Sequence, residues 1–240
     1  MNTGKPVLIR QHGDITPPGI LEDWLHERGI AFEVQLSYDE SEAPDPTDYA
    51  FVASLGSACN PNDVHVPAVV REIELIRRAV DGEVPVLGLC FGGEVLSTVL
   101  GGRVERSPEP ELGWCEIQTD DPSTVPAGPW LEWHYDSFTT PPDAAEIART
   151  DTAVQAFRIG PHLGVQFHPE STVEIVSGWA GLDTERLAEM GIDDWRPLLE
   201  ATHQRKQAAR GDAFELFDAF ASIVAAHRTG KSAGDAGGKE

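Results

Sequence analysis

The chain has 240 residues, 18 of them basic and 40 acidic, for a formal charge of −22. That field repels phosphate backbones, which speaks against a nucleic-acid partner, and three cysteines (Cys59, Cys90, Cys115) without a Cys-x-x-Cys spacing suggest neither a disulfide framework nor a zinc motif. No apolar run approaches a membrane span and residues 1–5 lack a signal peptide's apolar region, so the expected setting is soluble and cytoplasmic, with the acidity serving solubility or a basic partner surface.

Residues 7–9 read as a short buried strand, followed by His12 and a loop through Pro17-Pro18-Gly19. Residues 20–28 place apolar side chains at 20, 21, 24 and 25, a helical face closed by Gly29, and residues 31–36 alternate like a strand. This β-α-β order favours a parallel sheet. His12 follows a strand at its carboxyl edge, where ligands bind in such sheets; it is either a site residue or a solvated loop histidine. Residues 37–48 form an acidic, Pro-containing loop, 49–53 the next strand, and Ser54-Leu55-Gly56-Ser57 a turn. Residues 66–80 are an amphipathic helix ending at Asp81-Gly82.

The next stretch organises the chain. Val84-Pro85-Val86-Leu87 is a buried-strand signal, it ends in Gly88-Leu89-Cys90-Phe91-Gly92-Gly93, and a helical stretch follows and stops at Gly101-Gly102. Cys90 therefore sits at a sharp strand-to-helix turn, the setting of a nucleophile elbow with sulfur in place of a hydroxyl. The helix N-terminus points at the sulfur and favours thiolate, the reactive form.

Further along, residues 101–105 and 113–117 read as strands, with Cys115 a packing residue. Residues 120–128 form a Pro-rich loop, and 130–138 an aromatic-rich strand holding His134 and Asp136. Residues 154–159 and 163–167, joined by Gly160-Pro161, read as a hairpin. His168 leaves its end, with Glu170 two residues on and on the same face. A cysteine nucleophile needs a base and the base an orienter, and His168 with Glu170 is the pair the chain offers.

The Cys90 elbow together with Phe167-His168-Pro169-Glu170 resembles the class I (triad) glutamine amidotransferases, over most of residues 7–175. The resemblance implies a Cys90-His168-Glu170 triad that attacks a γ-carboxamide, forms a γ-glutamyl thioester and releases ammonia, with no cofactor and no metal. By position it implies an oxyanion hole from the amides of Gly56 and Phe91, although the family usually has Gly-Gly-Pro where this chain has Leu55-Gly56-Ser57. It also implies a substrate wall near His134 and Asp136, against the alternative of an aromatic edge strand with an incidental histidine. The family usually carries Gln four residues after the nucleophile, whereas this chain has Glu94, which γ-glutamyl hydrolases resemble at that place. One helical turn puts Glu94 on the Cys90 side. It is expected to anchor a substrate's α-amino group, or else merely to favour the helix dipole.

After Glu170, Ser171-Thr172-x-Glu174 signals a helix start as a capping box. Residues 182–209 read as helical and charged. In 213–227, Phe214, Phe217, Phe220 and Val224 share a stripe that faces either the core or a partner. Residues 229–240 are Gly/Ser/Ala-rich and read as a disordered tail. No metal-ligand spacing is visible. The expected architecture is an α/β catalytic domain over 1–180 with a mostly parallel, flavodoxin-like sheet flanked by helices, a helical extension over 181–228, and a tail. The expected function is a stand-alone glutaminase that passes ammonia to a synthetase partner, since 240 residues leave no room for a synthetase domain. The alternatives are a γ-glutamyl hydrolase or peptidase, and a catalytically idle binding protein on this fold.

Overall fold

A computed structural model describes residues 4–38 and 43–236. Part of the acidic loop, at 39–42, and the last four tail residues, 237–240, lie outside the described residues. The elements run β1 (Val7–Gln11), α1 (Gly19–Glu27), β2 (Phe32–Leu36), β3 (Val52–Ser54), α2 (Pro67–Asp81), β4 (Val86–Leu89) and α3 (Phe91–Val99). They continue with β5 (Val104–Cys115), β6 (Gln118–Thr119), β7 (Trp130–Phe138), β8 (Ala145–Arg149), β9 (Val154–Ile159) and β10 (His162–Val165). The chain closes with α4 (Val173–Leu182), α5 (Thr184–Glu189) and α6 (Arg196–Ala236).

One sheet has the order β2-β1-β3-β4-β10-β9-β8-β6. Its first five strands pair in parallel and the rest are antiparallel. The parallel part has the doubly wound order 2-1-3-4-5 of flavodoxin-like sheets. Alternation along β1 explains the two layers: Val7 and Ile9 enter the core with α1 and α6, while Leu8 enters the core with α2 and α3. Phe214, Phe217, Phe220 and Val224 of α6 lie in the first of these cores, so that stripe faces inward. Asp218 ties α6 to α1 by accepting from Trp24 Nε1 at 2.9 Å and from Arg28.

A separate antiparallel ribbon, β5 with β7, carries a register shift between Arg106 and Glu111. Here the structure corrects several expectations. The two strands expected at 101–105 and 113–117 are one strand, Val104–Cys115, because β7 pairs with both of its ends, at 104–106 and 111–115, across an irregular stretch between them. The strand expected at 49–53 is only Val52–Ser54, since Asp45 caps a short 3-10 turn at Pro46–Asp48 ahead of it. The helix that follows Glu170 is capped by Thr172, whose side chain accepts from Ile175 N at 3.3 Å, one residue later than the capping-box reading. The charged helix expected over 182–209 is broken between α5 and α6, and α6 continues through the stretch from 229 that reads as a tail, as far as Ala236. No helix among the described residues is long and apolar enough to cross a membrane.

Candidate active site

Cys90 sits between β4 and α3 with φ 51° and ψ −111°. A non-glycine residue at positive φ is strained and persists only where its surroundings over-determine it. They do so here: Cys90 N donates to Val165 O at 2.9 Å, and Glu94 N closes the first helical turn on Cys90 O at 2.9 Å. Gly92 is required for a close approach, because a Cβ there would run into the backbone of Ser54.

Cys90 lines a cleft of about 810 Å³ whose walls also include Gly56, Glu94, His134, Asp136 and His168. The parallel pairing of β10 with β4 puts the end of the hairpin beside the elbow. His168 and Glu170 are both buried, and His168 Nδ1 stands 2.8 Å from Glu170 Oε1. A carboxylate accepts, so Nδ1 donates and Nε2 is left for chemistry; among the described residues it has no hydrogen-bond partner of good geometry. Burial disfavours the imidazolium, but Glu170 and then Cys90 outweigh it and hold His168 well above its ordinary range. The Trp179 ring covers the imidazole at 4.5 Å between centroids.

Gly56 packs against both groups. A Cβ there would lie 2.9 Å from His168 Cε1 and 3.9 Å from Cys90 Cβ. Phe91 is the first residue of α3, where amides lack intrahelical partners. Glu94 is buried on the wall next to Cys90, and burial pushes its carboxyl up to about 7 against the opposing hydrogen bond from Gln166. Sequence reasoning did not find Gln166. Its Nε2 donates to Glu94 Oε1 at 3.1 Å and lies 3.9 Å from Cys90 Sγ. A signal for it exists, since Gln166 precedes His168 by two residues and a strand puts both on one face.

His134 and Asp136 both line the cleft, yet both ring nitrogens of His134 are engaged elsewhere. Nδ1 is 2.9 Å from the carbonyl oxygen of Asp136, and Nε2 is 3.1 Å from Glu111 Oε2 and 3.4 Å from Glu132 Oε2. This three-residue group is invisible in the sequence spacing because cross-strand pairing assembles it. His12 is not a wall residue. Its buried side chain contacts Ser37 and Ser54, with Glu72 at 3.7 Å, and burial pushes it down to about 4, so it stays neutral. Cys115 is held inert, its thiol pushed up to about 12 by burial. The cleft mouth has features that the sequence does not disclose. Trp133 and Tyr135 both donate to Asp183 Oδ2, at 3.2 and 2.6 Å, and Arg106 and Arg186 stand over the Tyr135 ring.

The profile of the family described as "Glutamine amidotransferase class-I" matches residues 21–175. A subunit of the glutamine-hydrolyzing GMP synthase of Ignicoccus hospitalis is 39% identical over 95 residues, covering 36% of this chain and 50% of that protein. The glutamine-hydrolyzing GMP synthase of Listeria innocua is 30% identical over 159 residues, covering 61% and 29%. The chain thus spans half or less of the length of these curated relatives. Among solved structures, a glutamine amido transferase from Methylobacillus flagellatus superposes with TM-score 0.84 at 27% identity, covering 91% of this chain and 95% of that one. A glutamine amidotransferase from Thermotoga maritima gives 0.81 at 26% identity, covering 92% and 98%. With its profile match spanning more than half of its length, the chain belongs to the class I glutamine amidotransferases.

Proposed function

We propose that the chain is a glutaminase that hydrolyses the γ-carboxamide of glutamine and supplies ammonia to a synthetase partner. The observation that carries this is Cys90 on a strained elbow, in the same cleft as a buried His168 held by Glu170. In this mechanism the Cys90 thiolate attacks the γ-carbonyl carbon. The amides of Gly56 and Phe91 hold the developing oxyanion, a contribution of about 3 kcal/mol per donor. The C–N bond breaks as His168 Nε2 gives its proton to the departing nitrogen, leaving a γ-glutamyl thioester and ammonia. A water molecule, deprotonated by His168, then attacks the thioester and releases glutamate. Glu170 keeps the imidazole in the tautomer and orientation that both steps use.

The size of the cleft supports a second reading, hydrolysis of γ-glutamyl amides or peptides. A buried carboxylate one turn from the nucleophile suits a cationic α-amino group, which glutamine and γ-glutamyl peptides share. The cleft volume of about 810 Å³ leaves space beyond a single amino acid. Ammonia and glutamate release, measured over glutamine and a panel of γ-glutamyl peptides, separates the two readings. Preference for glutamine by kcat/KM supports the first, preference for peptides the second, and inactivity on both, alone and in cell extract, refutes both.

A further inference from the structure

The β5–β7 ribbon pairs Glu111 with His134 and Gly113 with Glu132, so three ligand-type side chains share one face. One ligand atom from each lies within 4.8 Å of the others. His134 Nδ1 faces the carbonyl oxygen of Asp136, which can only accept, so Nδ1 carries a proton and donates it. Nε2 then faces two carboxylates, presenting them an N–H when the ring is charged and a lone pair when it is neutral. Three ligand-type atoms converge there, a setting that suits a shared proton or a cation.

A proton on Nε2 serves this group incompletely. It makes one reasonable contact, with Glu111 Oε2 at 3.1 Å, while Glu132 Oε2 stays at 3.4 Å. Among the described residues, neither oxygen of Glu132 accepts a hydrogen bond, although the side chain is wholly buried. The residue across the ribbon, Gly113, brings no side-chain donor. Gln155, also wholly buried, donates Nε2 to Glu111 Oε2 at 2.8 Å and leaves its own Oε1 unpartnered. Beyond the 3.4 Å contact with His134, nothing among the described residues offsets the burial of the Glu132 carboxylate, a cost of several kcal/mol when a buried charge is poorly paired.

We propose that Glu111, Glu132 and His134 form a divalent-cation site behind the wall of the cleft. Two carboxylates and one imidazole are a borderline donor set, suited to Zn²⁺, Mn²⁺, Fe²⁺ or Co²⁺. The 3.1 and 3.4 Å separations match ligands about 2.0–2.2 Å from a shared ion, which stand roughly 3–4 Å apart. The Nδ1 bond to a backbone carbonyl is the outer support that metal-bound histidines use to fix their tautomer.

The test uses Cys90→Ser protein, so that the nucleophile cannot bind the probe, stripped with chelator and titrated with Co²⁺. Expected are one Co²⁺ per chain by elemental analysis after desalting, displacement by Zn²⁺, and an X-ray absorption spectrum with an imidazole and no sulfur. Glu132→Gln, which keeps the shape, weakens binding by roughly tenfold or more, and His134→Gln abolishes it. If the variants fail to fold, the Cys90→Ser protein alone decides. No saturable Co²⁺ binding, sulfur in the coordination shell, or affinity unchanged in folded Glu132→Gln overturns the proposal.

Discussion

Replacing Glu94 with Gln tests the pocket most sharply, because the structure predicts that the enzyme becomes more stable and less active at once. The shapes match, and Gln166 Nε2 can donate to the new amide oxygen as it does to Glu94 Oε1 at 3.1 Å. What changes is titration. Burial raises the Glu94 carboxyl from 4.5 to about 7. Between those values the folded state keeps a proton that the unfolded chain has released. The stability this group contributes is full below pH 4.5 and is lost as pH rises to about 7. That loss is worth at most about 3 kcal/mol. Glu94→Gln does not suffer it. At pH 8 the variant should melt higher by up to roughly 6–12 °C, at about 2–4 °C per kcal/mol for a chain of this size, and at pH 4.5 the two proteins should melt together. Calorimetry in chelating buffer reads this directly. In kinetics, losing the charge-assisted bond to an α-ammonium should cost about 1.5–3 kcal/mol, or roughly 10- to 100-fold in kcat/KM. Substrates without an α-amino group should be spared. Wild-type kcat/KM on glutamine should rise as pH climbs through about 7, and the variant should lack that limb. A melting difference independent of pH, together with unchanged kinetics, refutes the assignment.

Cys90→Ser should abolish turnover, since a hydroxyl is a far weaker acid than a thiol; His168→Ala should cost about as much and Glu170→Gln less, and the reverse ranking would exchange the roles. A glutamine-like electrophile should label Cys90 and spare the inert Cys115, read by mass spectrometry in a Cys59→Ser background because Cys59 also lines the cleft. Gly56→Ala puts a methyl 2.9 Å from His168 Cε1, and displacing the ring should lower kcat by about 100-fold with little change in melting; a fully active variant would mean that the ring has room. Phe220, buried edge-on against Phe51 at 5.2 Å between centroids, should cost about 3–5 kcal/mol on replacement by Ala, read by denaturant unfolding; a negligible loss would detach α6 from the folding unit.

Local signals made much of this protein legible. The strand-to-helix turn at Cys90 is written in consecutive residues, because small residues and apolar runs act over a few positions. The two-residue spacing of His168 and Glu170 keeps the pair within reach of one another, although β10 ends at Val165 and a turn at 169–170, not strand alternation, brings them together. The apolar stripe of α6 follows from helical period, though only the packed core shows that it faces inward, and the parallel pairing of the first strands follows from β-α-β alternation. Tertiary structure decided what depends on partners distant in the chain. Glu111 meets His134 only because β5 and β7 pair in one register, and a slip of one residue would send Glu111 to the opposite face. His12 stands where a site residue would stand, yet Ser54 and Glu72, from β3 and α2, draw it into a buried polar group. Gln166 acquires its neighbours Cys90 and Glu94 only when β10 docks on β4. Short-range periodicity fixes which face a side chain takes. What waits on that face is set by long-range pairing, whose register depends on the whole buried surface at once.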